Sequence, residues 1–256
     1  MRHRLLGMDI DAIHLPEACA RCAEAIERRA PLMIGCVNAA KIVKTRQDPV
    51  LHDAVASCDL IVADGMSVVW ASRLLGAPLP ERVAGIDLFE ALLAEGDRRQ
   101  WSIYFFGATE EVLGQVLEHV RREHPGVRIA GSHHGYVDDE GEKRVAGEIR
   151  AAAPDLLFLG MGTPKKELFI RAHGRETGAV VCHGVGGSFD VLAGKVQRAP
   201  AIWQRLGLEW LYRTLQEPGR LWWRYLSTNT RFVWLVLRER LGMGTGAPPH
   251  SDPDRG

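Results

Sequence analysis

The chain has 256 residues, 46% hydrophobic and 25% charged, with no formal net charge. That make-up belongs to a globular protein large enough to bury its own core, and it excludes a disordered chain. Five irregularly spaced cysteines exclude a secreted disulfide framework, and no apolar run reaches the ~20 residues needed to span a bilayer. The opening MRHRLLGMDIDAIHL lacks the apolar stretch of a secretory signal, so a cytosolic protein is expected, or one that lies on a membrane without crossing it.

In chain order, Asp9-Ile10-Asp11 has D-x-D spacing but stands alone near the start, and no metal role is assigned to it. Cys19 and Cys22 form a CxxC inside the helix-like CARCAEAIERR. A redox pair should follow a strand and a zinc site needs a second pair, so both read as small helix residues. Strands are predicted at 32–37 (LMIGCV), 60–63 (LIVA), 102–107 (SIYFFG), 127–131 (VRIAG), 156–160 (LLFLG) and 180–186 (VVCHGVG). Short β-branched and aromatic runs suit strands buried on both faces. Their alternation with helical stretches implies right-handed βαβ crossovers. The predicted fold is α/β, a Rossmann-like, mainly parallel sheet flanked by helices, with a C-terminal helical appendage.

The helix signals agree with that order. Asp87 is expected to N-cap LFEALLAEG with Glu90 as capping-box partner, and Thr109 to cap EEVLGQVLEHVRREH. Pro164 is expected to open KKELFIRAHGR, and Gly76 and Gly194 to end helices. His133-His134 and His183 read as loop or strand-end residues rather than metal ligands, and Asp138-Asp139 as the turn before EKRVAGEIR. After Gly194 the character changes: residues 195–241 hold eight arginines and one lysine against three glutamates, and five of the seven tryptophans. The expected division is an α/β domain over 1–194, a basic Trp/Arg-rich helical appendage over 195–241, and a disordered Gly/Pro/Asp-rich tail over 242–256.

Ligands of open parallel sheets bind beyond the carboxyl ends of the strands. Those ends deliver Cys36 and Asn38; Asp64-Gly65-Met66; Gly107-Ala108-Thr109; Gly160-Met161-Gly162-Thr163-Pro164; and Gly184-Val185-Gly186-Gly187-Ser188 followed by Asp190. Small residues there let backbone amides approach a phosphate, and the following helix N-termini favour negative charge. A nucleotide or other phosphorylated ligand is therefore expected. A nicotinamide enzyme is not, because CVNAAK after the first strand carries no G-x-G-x-x-G. GGSFD is not a nucleophile elbow, and no Walker lysine motif occurs. No catalytic metal and no cofactor are expected, which leaves arginine, whose fork matches phosphate oxygens, to hold a diphosphate.

The stretches VNAAK, VADGMSVVW, ERVAGID, FFGATEEV, GMGTPKKE and GVGGSFDVLAGKVQRAP, followed by GLEWLYRTLQEPGR, run from about residue 34 to 225 and together resemble the WecG/TagA/CpsF glycosyltransferases. The resemblance implies inverting, metal-independent transfer of a sugar (N-acetylmannosamine, its uronic acid or glucose) from a UDP-sugar to a sugar on a polyprenyl diphosphate. The product would feed cell-surface polysaccharide. It implies that Asp64 of the D-G-M motif is the general base, and that Cys36 and Asn38 fall on the pocket threonine and asparagine of T-x-N. Arg82 falls on the arginine of E-R-V-x-G, and Lys166 and Glu167 on the Gln-Glu pair of G-x-P-x-Q-E. Arg213 and Arg220, with Arg224 nearby, fall on tail arginines expected at the diphosphate. Gly65, Gly107, Thr109, Gly162, Pro164, Gly186, Gly187 and Asp190 complete the expected substrate-binding set.

Three departures stand out: Cys36 loses the threonine hydroxyl, Lys166 replaces a neutral amide with a cation, and Trp223 stands where one of two paired arginines is expected. The first two bear on which donor is accepted and keep open an alternative, a non-catalytic nucleotide-sugar-binding protein of the same fold. Asp64 also has a structural reading as N-cap of MSVVWASRLL. The tail has two readings. Its Trp and Leu can form the core of a helical subdomain, or they can meet an anionic membrane, with Arg224, Arg231 and Arg238 recurring every seven residues near one helix face. The membrane reading places the protein in the cytoplasm, peripheral on the inner face of the cytoplasmic membrane. No nucleic-acid partner is expected, and self-association is left open.

Overall fold

A computed structural model of the chain describes residues 1–200, 202–203, 209–216 and 218–243; the side chains at 210, 213, 214, 216, 218 and 220–226 lie outside that description. The tail predicted to be disordered falls almost wholly outside it as well.

Two strands not predicted from the sequence come first. β1 (Arg2–Leu5) and β2 (Met8–Asp11) form an antiparallel hairpin. Its turn places Leu6 and Gly7 at φ +50° and +84°, the left-handed pair that a two-residue hairpin turn needs and that glycine permits at its second position. The isolated D-x-D finds its role here: buried Asp11 Oδ2 accepts the Ile61 N–H at 2.8 Å and the Arg2 Nε–H at 3.1 Å, tying the hairpin to the sheet edge.

The predicted strands all form: β3 (Leu32–Val37), β4 (Leu60–Ala63), β5 (Ser102–Gly107), β6 (Arg128–His133), β7 (Leu156–Gly160) and β8 (Val181–Gly184). They make one six-stranded sheet in the order β4-β3-β8-β7-β5-β6, with every pairing parallel. α1 (Leu15–Arg28), α5 (Gly85–Arg99), α6 (Glu110–Glu123) and α9 (Ser188–Leu192) cover one face, where Ile34, Phe105 and Phe158 are buried. α2 (Ala39–Thr45), α3 (Pro49–Ala56), α4 (Met66–Leu74), α7 (Asp139–Ala152) and α8 (Lys165–Phe169) cover the other, over Val37, Phe106 and Leu157. Neighbouring strand residues thus point into opposite cores, the period-two rule of a pleated sheet.

Two helices follow, α10 (Glu209–Gln216) and α11 (Pro218–Arg240). Phe232, Leu235 and Val236 of α11 are buried in the same cluster as Ile42 of α2 and Val68 of α4. Glu239 also accepts the Leu6 N–H at 3.1 Å. The last helix therefore completes the core over one sheet face, although the composition shifts after Gly194.

Thr109 caps α6 by accepting the Val112 N–H, Asp138 caps α7 by accepting the Gly141 N–H, and Cys19 and Cys22 lie in α1 as unpaired thiols. The expectation for Asp87 fails. α5 starts at Gly85 with Ala84 as its N-cap residue, and Asp87 sits in the first turn, where it pairs with Arg82 and Arg198.

Gly160 at the end of β7 lies directly under the Phe189 ring, which clusters with Phe89 and Phe105 at centroid distances of 5.8 and 6.1 Å. A Cβ there would sit 2.3 Å from the nearest atom of that ring, and one on Gly107 would collide with the Gly160 backbone. Gly160→Ala is expected to cost about 1–3 kcal/mol of stability through overpacking, seen as a lower midpoint in urea denaturation.

Candidate active site

A cleft of about 860 Å³ opens over the carboxyl ends of β4, β3, β8 and β7, within the ~300–1,000 Å³ usual for small-molecule sites. Cys36, Asn38, Asp64, Arg82, Lys166 and Gly186 line it.

Asp64 leaves the end of β4, where its N–H donates to Val37 O at 2.8 Å. Its side chain does not cap the next helix, because the N-cap position of α4 is Gly65 and no side-chain bond is made there. Instead Asp64 Oδ1 accepts the N–H of Gly85, the first residue of α5, at 2.8 Å. The capping reading is thereby excluded. Burial pushes the Asp64 carboxyl above the usual aspartate range, against the Gly85 N–H and the charges of Lys41 and Arg82, which pull it down. Cys36 lies beside it on β3, its thiol pushed up to about 12 by burial and by the Asp64 charge, so it is neutral at pH 7.

Asn38 caps α2 by accepting the Lys41 N–H at 3.0 Å, which fixes where the Lys41 side chain starts. Lys41 Nζ reaches Glu167 Oε1 at 2.6 Å, and Lys166 Nζ reaches the same oxygen at 3.0 Å and Thr163 Oγ1 at 2.7 Å. The three residues are at most 8% exposed. Two amines thus share one carboxylate under the cleft. Burial pulls the Lys166 pKa below its ordinary value, with repulsion from Lys41 adding to it. Burial would pull Lys41 down too, but the Glu167 carboxylate holds it above the lysine norm. Glu167, which burial alone would raise, is held below the usual range by the two lysines. Its Oε2 has no partner among the described residues. The Lys166 stem lies so close to Gly184 that a Cβ there would sit 2.9 Å from Lys166 Cδ.

Arg82 Nη1 donates to Glu209 Oε2 at 2.9 Å and its Nη2 to Asp87 Oδ2 at 3.4 Å, linking the cleft wall to α10. Arg198 joins the same carboxylates, Asp87 and Glu209, and also reaches Glu90.

A profile of the family described as Glycosyl transferase WecG/TagA/CpsF matches residues 3–245. The chain belongs to this glycosyltransferase family. It is 40% identical over 204 residues to the N-acetylglucosaminyldiphosphoundecaprenol N-acetyl-beta-D-mannosaminyltransferase of Bacillus spizizenii, covering 80% of this chain and 77% of that one. It is 35% identical over 228 residues to the protein of the same name from Bacillus subtilis strain 168, covering 89% and 88%.

Of the family-motif positions, Cys36, Asn38, Asp64, Gly65, Arg82, Gly162, Lys166, Gly186 and Gly187 are gathered around one cleft, with Glu167 anchoring the lysines from behind. Gly107, Thr109, Pro164 and Asp190 are not among its lining residues. Gly107 packs on Gly160, Thr109 caps α6, Pro164 precedes α8, and the Asp190 carbonyl accepts the N–H groups of Lys195 and Val196. The side chains of Arg213, Arg220 and Arg224, and that of Trp223, lie outside the described residues.

Lys41, Gly85 and Thr163 were not singled out as site residues by the sequence. Lys41 ends the VNAAK stretch three residues after a capping Asn38, a spacing that places it in a helix's first turn. Its contact with Glu167, 126 positions later, has no local signature.

Glu167→Gln strands two buried lysines without a counter-charge and is expected to cost about 3–5 kcal/mol at pH 7. In that variant the folded-state lysine pKa values drop below the unfolded value of about 10.4, so the unfolded chain binds more protons and stability climbs with pH. Urea denaturation at pH 7 and pH 9 should show the deficit narrowing at the higher pH.

Proposed function

We propose that the chain is an inverting, metal-independent hexosyltransferase that moves a sugar from a UDP-sugar to a sugar carried on a polyprenyl diphosphate, for cell-surface polysaccharide. The observation that carries it is the Asp64 carboxylate, held by the Gly85 N–H at the cleft floor across from a buried pair of lysines. N-acetylmannosamine is the first donor sugar to test, ahead of its uronic acid and glucose, because both relatives carry it in their names. Those names also support N-acetylglucosamine on diphosphoundecaprenol as acceptor.

In this reading the acceptor hydroxyl oxygen attacks the anomeric carbon from the face opposite UDP, and its proton passes to Asp64 as the C–O bond forms. The bond to the β-phosphate oxygen breaks, and its electron pair leaves with UDP. A carboxylate lifted above the usual aspartate value of about 3.9 is a better base than a free one. The buried Lys41–Lys166 pair beside the cleft stabilises the departing diphosphate, which is the support for doing without a metal, and Arg213, Arg220 and Arg224 add to it from the tail. The amides of Gly186 and Gly187 and the thiol of Cys36 shape the donor side of the pocket.

The lipid half of the acceptor is supported by the cleft rim. Trp70 and Leu74 of α4 face Val233 and Leu237 of α11 across it, and all four are about half exposed. Trp234, stacked under the Arg238 guanidinium at 4.7 Å, and Leu241 extend that apolar edge. With Arg231 exposed on the same helix, this edge suits an anionic bilayer surface on the cytoplasmic side. No helix among the described residues is long and apolar enough to cross a membrane.

Asp64→Asn keeps an oxygen for the Gly85 N–H but cannot take the proton. It is expected to lower kcat by about 10²–10⁴-fold with its melting temperature near the parent's, in an assay of UDP-N-acetylmannosamine with a short-chain N-acetylglucosaminyl diphospholipid read by mass spectrometry. Parent-level turnover in that variant would refute the base assignment, and a rate abolished by EDTA would refute metal independence. In the parent, activity should fall on the acid side through a pKa above the ordinary aspartate value. Separately, Trp234→Gln with Arg238→Gln is expected to weaken sedimentation with acidic vesicles while leaving turnover of a water-soluble acceptor intact.

A further inference from the structure

His183 is the next-to-last residue of β8, fully buried, with its ring 6.2 Å from that of Phe158. Its Nε2 lies 3.0 Å from the Gly85 carbonyl oxygen. A carbonyl only accepts, so Nε2 carries the proton and Nδ1 is bare in the neutral ring. Nδ1 has no partner among the described residues. Burial holds the ring neutral by pulling its pKa down to about 4, with the Gly85 bond opposing and Lys166 and Lys41 assisting.

The residue on which His183 acts is the one that holds the proposed base. Gly85 accepts from His183 through its carbonyl and donates to Asp64 Oδ1 through its N–H. A Cβ on Gly85 would sit 3.4 Å from Cys36 Sγ and 3.9 Å from both Asp64 Oδ1 and His183 Cε1, so the residue is wedged between the three. A buried imidazole left with one nitrogen unpaired is a cost that a leucine at this apolar position would avoid. Its single bond is made to a residue in contact with the base.

We propose that His183 is a positioning residue for sugar transfer: its Nε2–H anchors Gly85 so that the Gly85 N–H fixes Asp64 Oδ1 and leaves Oδ2 to take the acceptor proton. This rests on the reading of Asp64 as base. A rigid neutral donor does this without adding a third cation beside Lys41 and Lys166. With the anchor gone, the Gly85 bond to Asp64 loosens. That bond lowers the Asp64 pKa, so the pKa rises and the base loses its ionised form at a higher pH. The other groups facing Asp64 are unchanged by the substitution: Lys41 on α2, Cys36 on β3, Arg82 before α5 and Glu209 on α10.

The test uses the full chain with UDP-N-acetylmannosamine and the short-chain diphospholipid acceptor, comparing the parent with His183→Leu, His183→Gln and Asp64→Asn. His183→Leu is expected to lose about tenfold or more in kcat with KM for both substrates nearly unchanged, and to shift the acidic limb of the rate profile to higher pH. His183→Gln, whose amide reaches where Nε2 stands, should recover most of the rate and the parent's acidic limb. Should His183→Leu fail to fold, His183→Asn, whose shorter amide falls short of the Gly85 carbonyl, takes its place with the same readouts. An unshifted acidic limb and parent kcat per folded molecule in the donor-less variant would overturn the proposal. If Asp64→Asn is inactive while that happens, only the positioning role falls. If Asp64→Asn itself keeps the parent rate, the base reading falls instead.

Discussion

A parallel sheet sealed by helices on both faces has little place for a charged side chain except beyond its strand ends. In this protein β3, β4, β7 and β8 are buried along their whole length, with backbone groups spent on the ladder. Charged groups can therefore emerge only as the chain turns into the next helix. Four adjacent strands make that turn side by side, so Cys36, Asp64, Gly162 and Gly186 meet although up to 150 residues separate them. The close approach of Gly107 to Gly160, and of Gly160 to Phe189, keeps the neighbouring strand ends tight enough for that convergence.

Within the cleft the arrangement is governed by charge. Glu167 is the only carboxylate bonded to Lys41 and Lys166 among the described residues, so two buried lysines converge on one glutamate. Asp64 stands apart from that cluster, held by a backbone N–H rather than by a cation. The separation matters chemically. A base bonded directly to a lysine would have its pKa driven down and its proton affinity spent, whereas the Gly85 bond orients the carboxylate and lets burial raise it. Lys166, where the resemblance to the family expects a glutamine, adds a basic group to the cleft lining. The thiol that replaces the family's threonine stays neutral beside Asp64 and does not disturb it.

The end of the chain serves the same cleft in two ways. α11 completes the core with Phe232, Leu235 and Val236 while presenting Val233 and Leu237 at the rim, and Glu209 of α10 grips Arg82 in the wall. The two readings of the tail, core or surface, are therefore not exclusive: one helix has a face for each.

Short apolar runs broken by glycine turns are a local property, and for that reason the strands, their parallel pairing and the small-residue strand ends were all legible along the chain. The motif order made the family legible too, with Asp64, Cys36, Asn38 and Lys166 among its positions. The N-terminal hairpin escaped notice because two four-residue strands around Leu6-Gly7 carry a weak pattern, and it is Asp11, bonded to Ile61, that secures them. Whether Asp64 caps a helix or faces a ligand could not be read locally, since both roles want an aspartate after a strand. The fold removes the α4 cap by bringing the Gly85 N–H to its Oδ1. The Lys41–Glu167 pair and the His183–Gly85 bond, spanning 126 and 98 positions, belong to the same class. Periodicity and turn chemistry act between near neighbours in the chain, whereas a buried charge or imidazole takes its role from whatever the closed sheet sets against it.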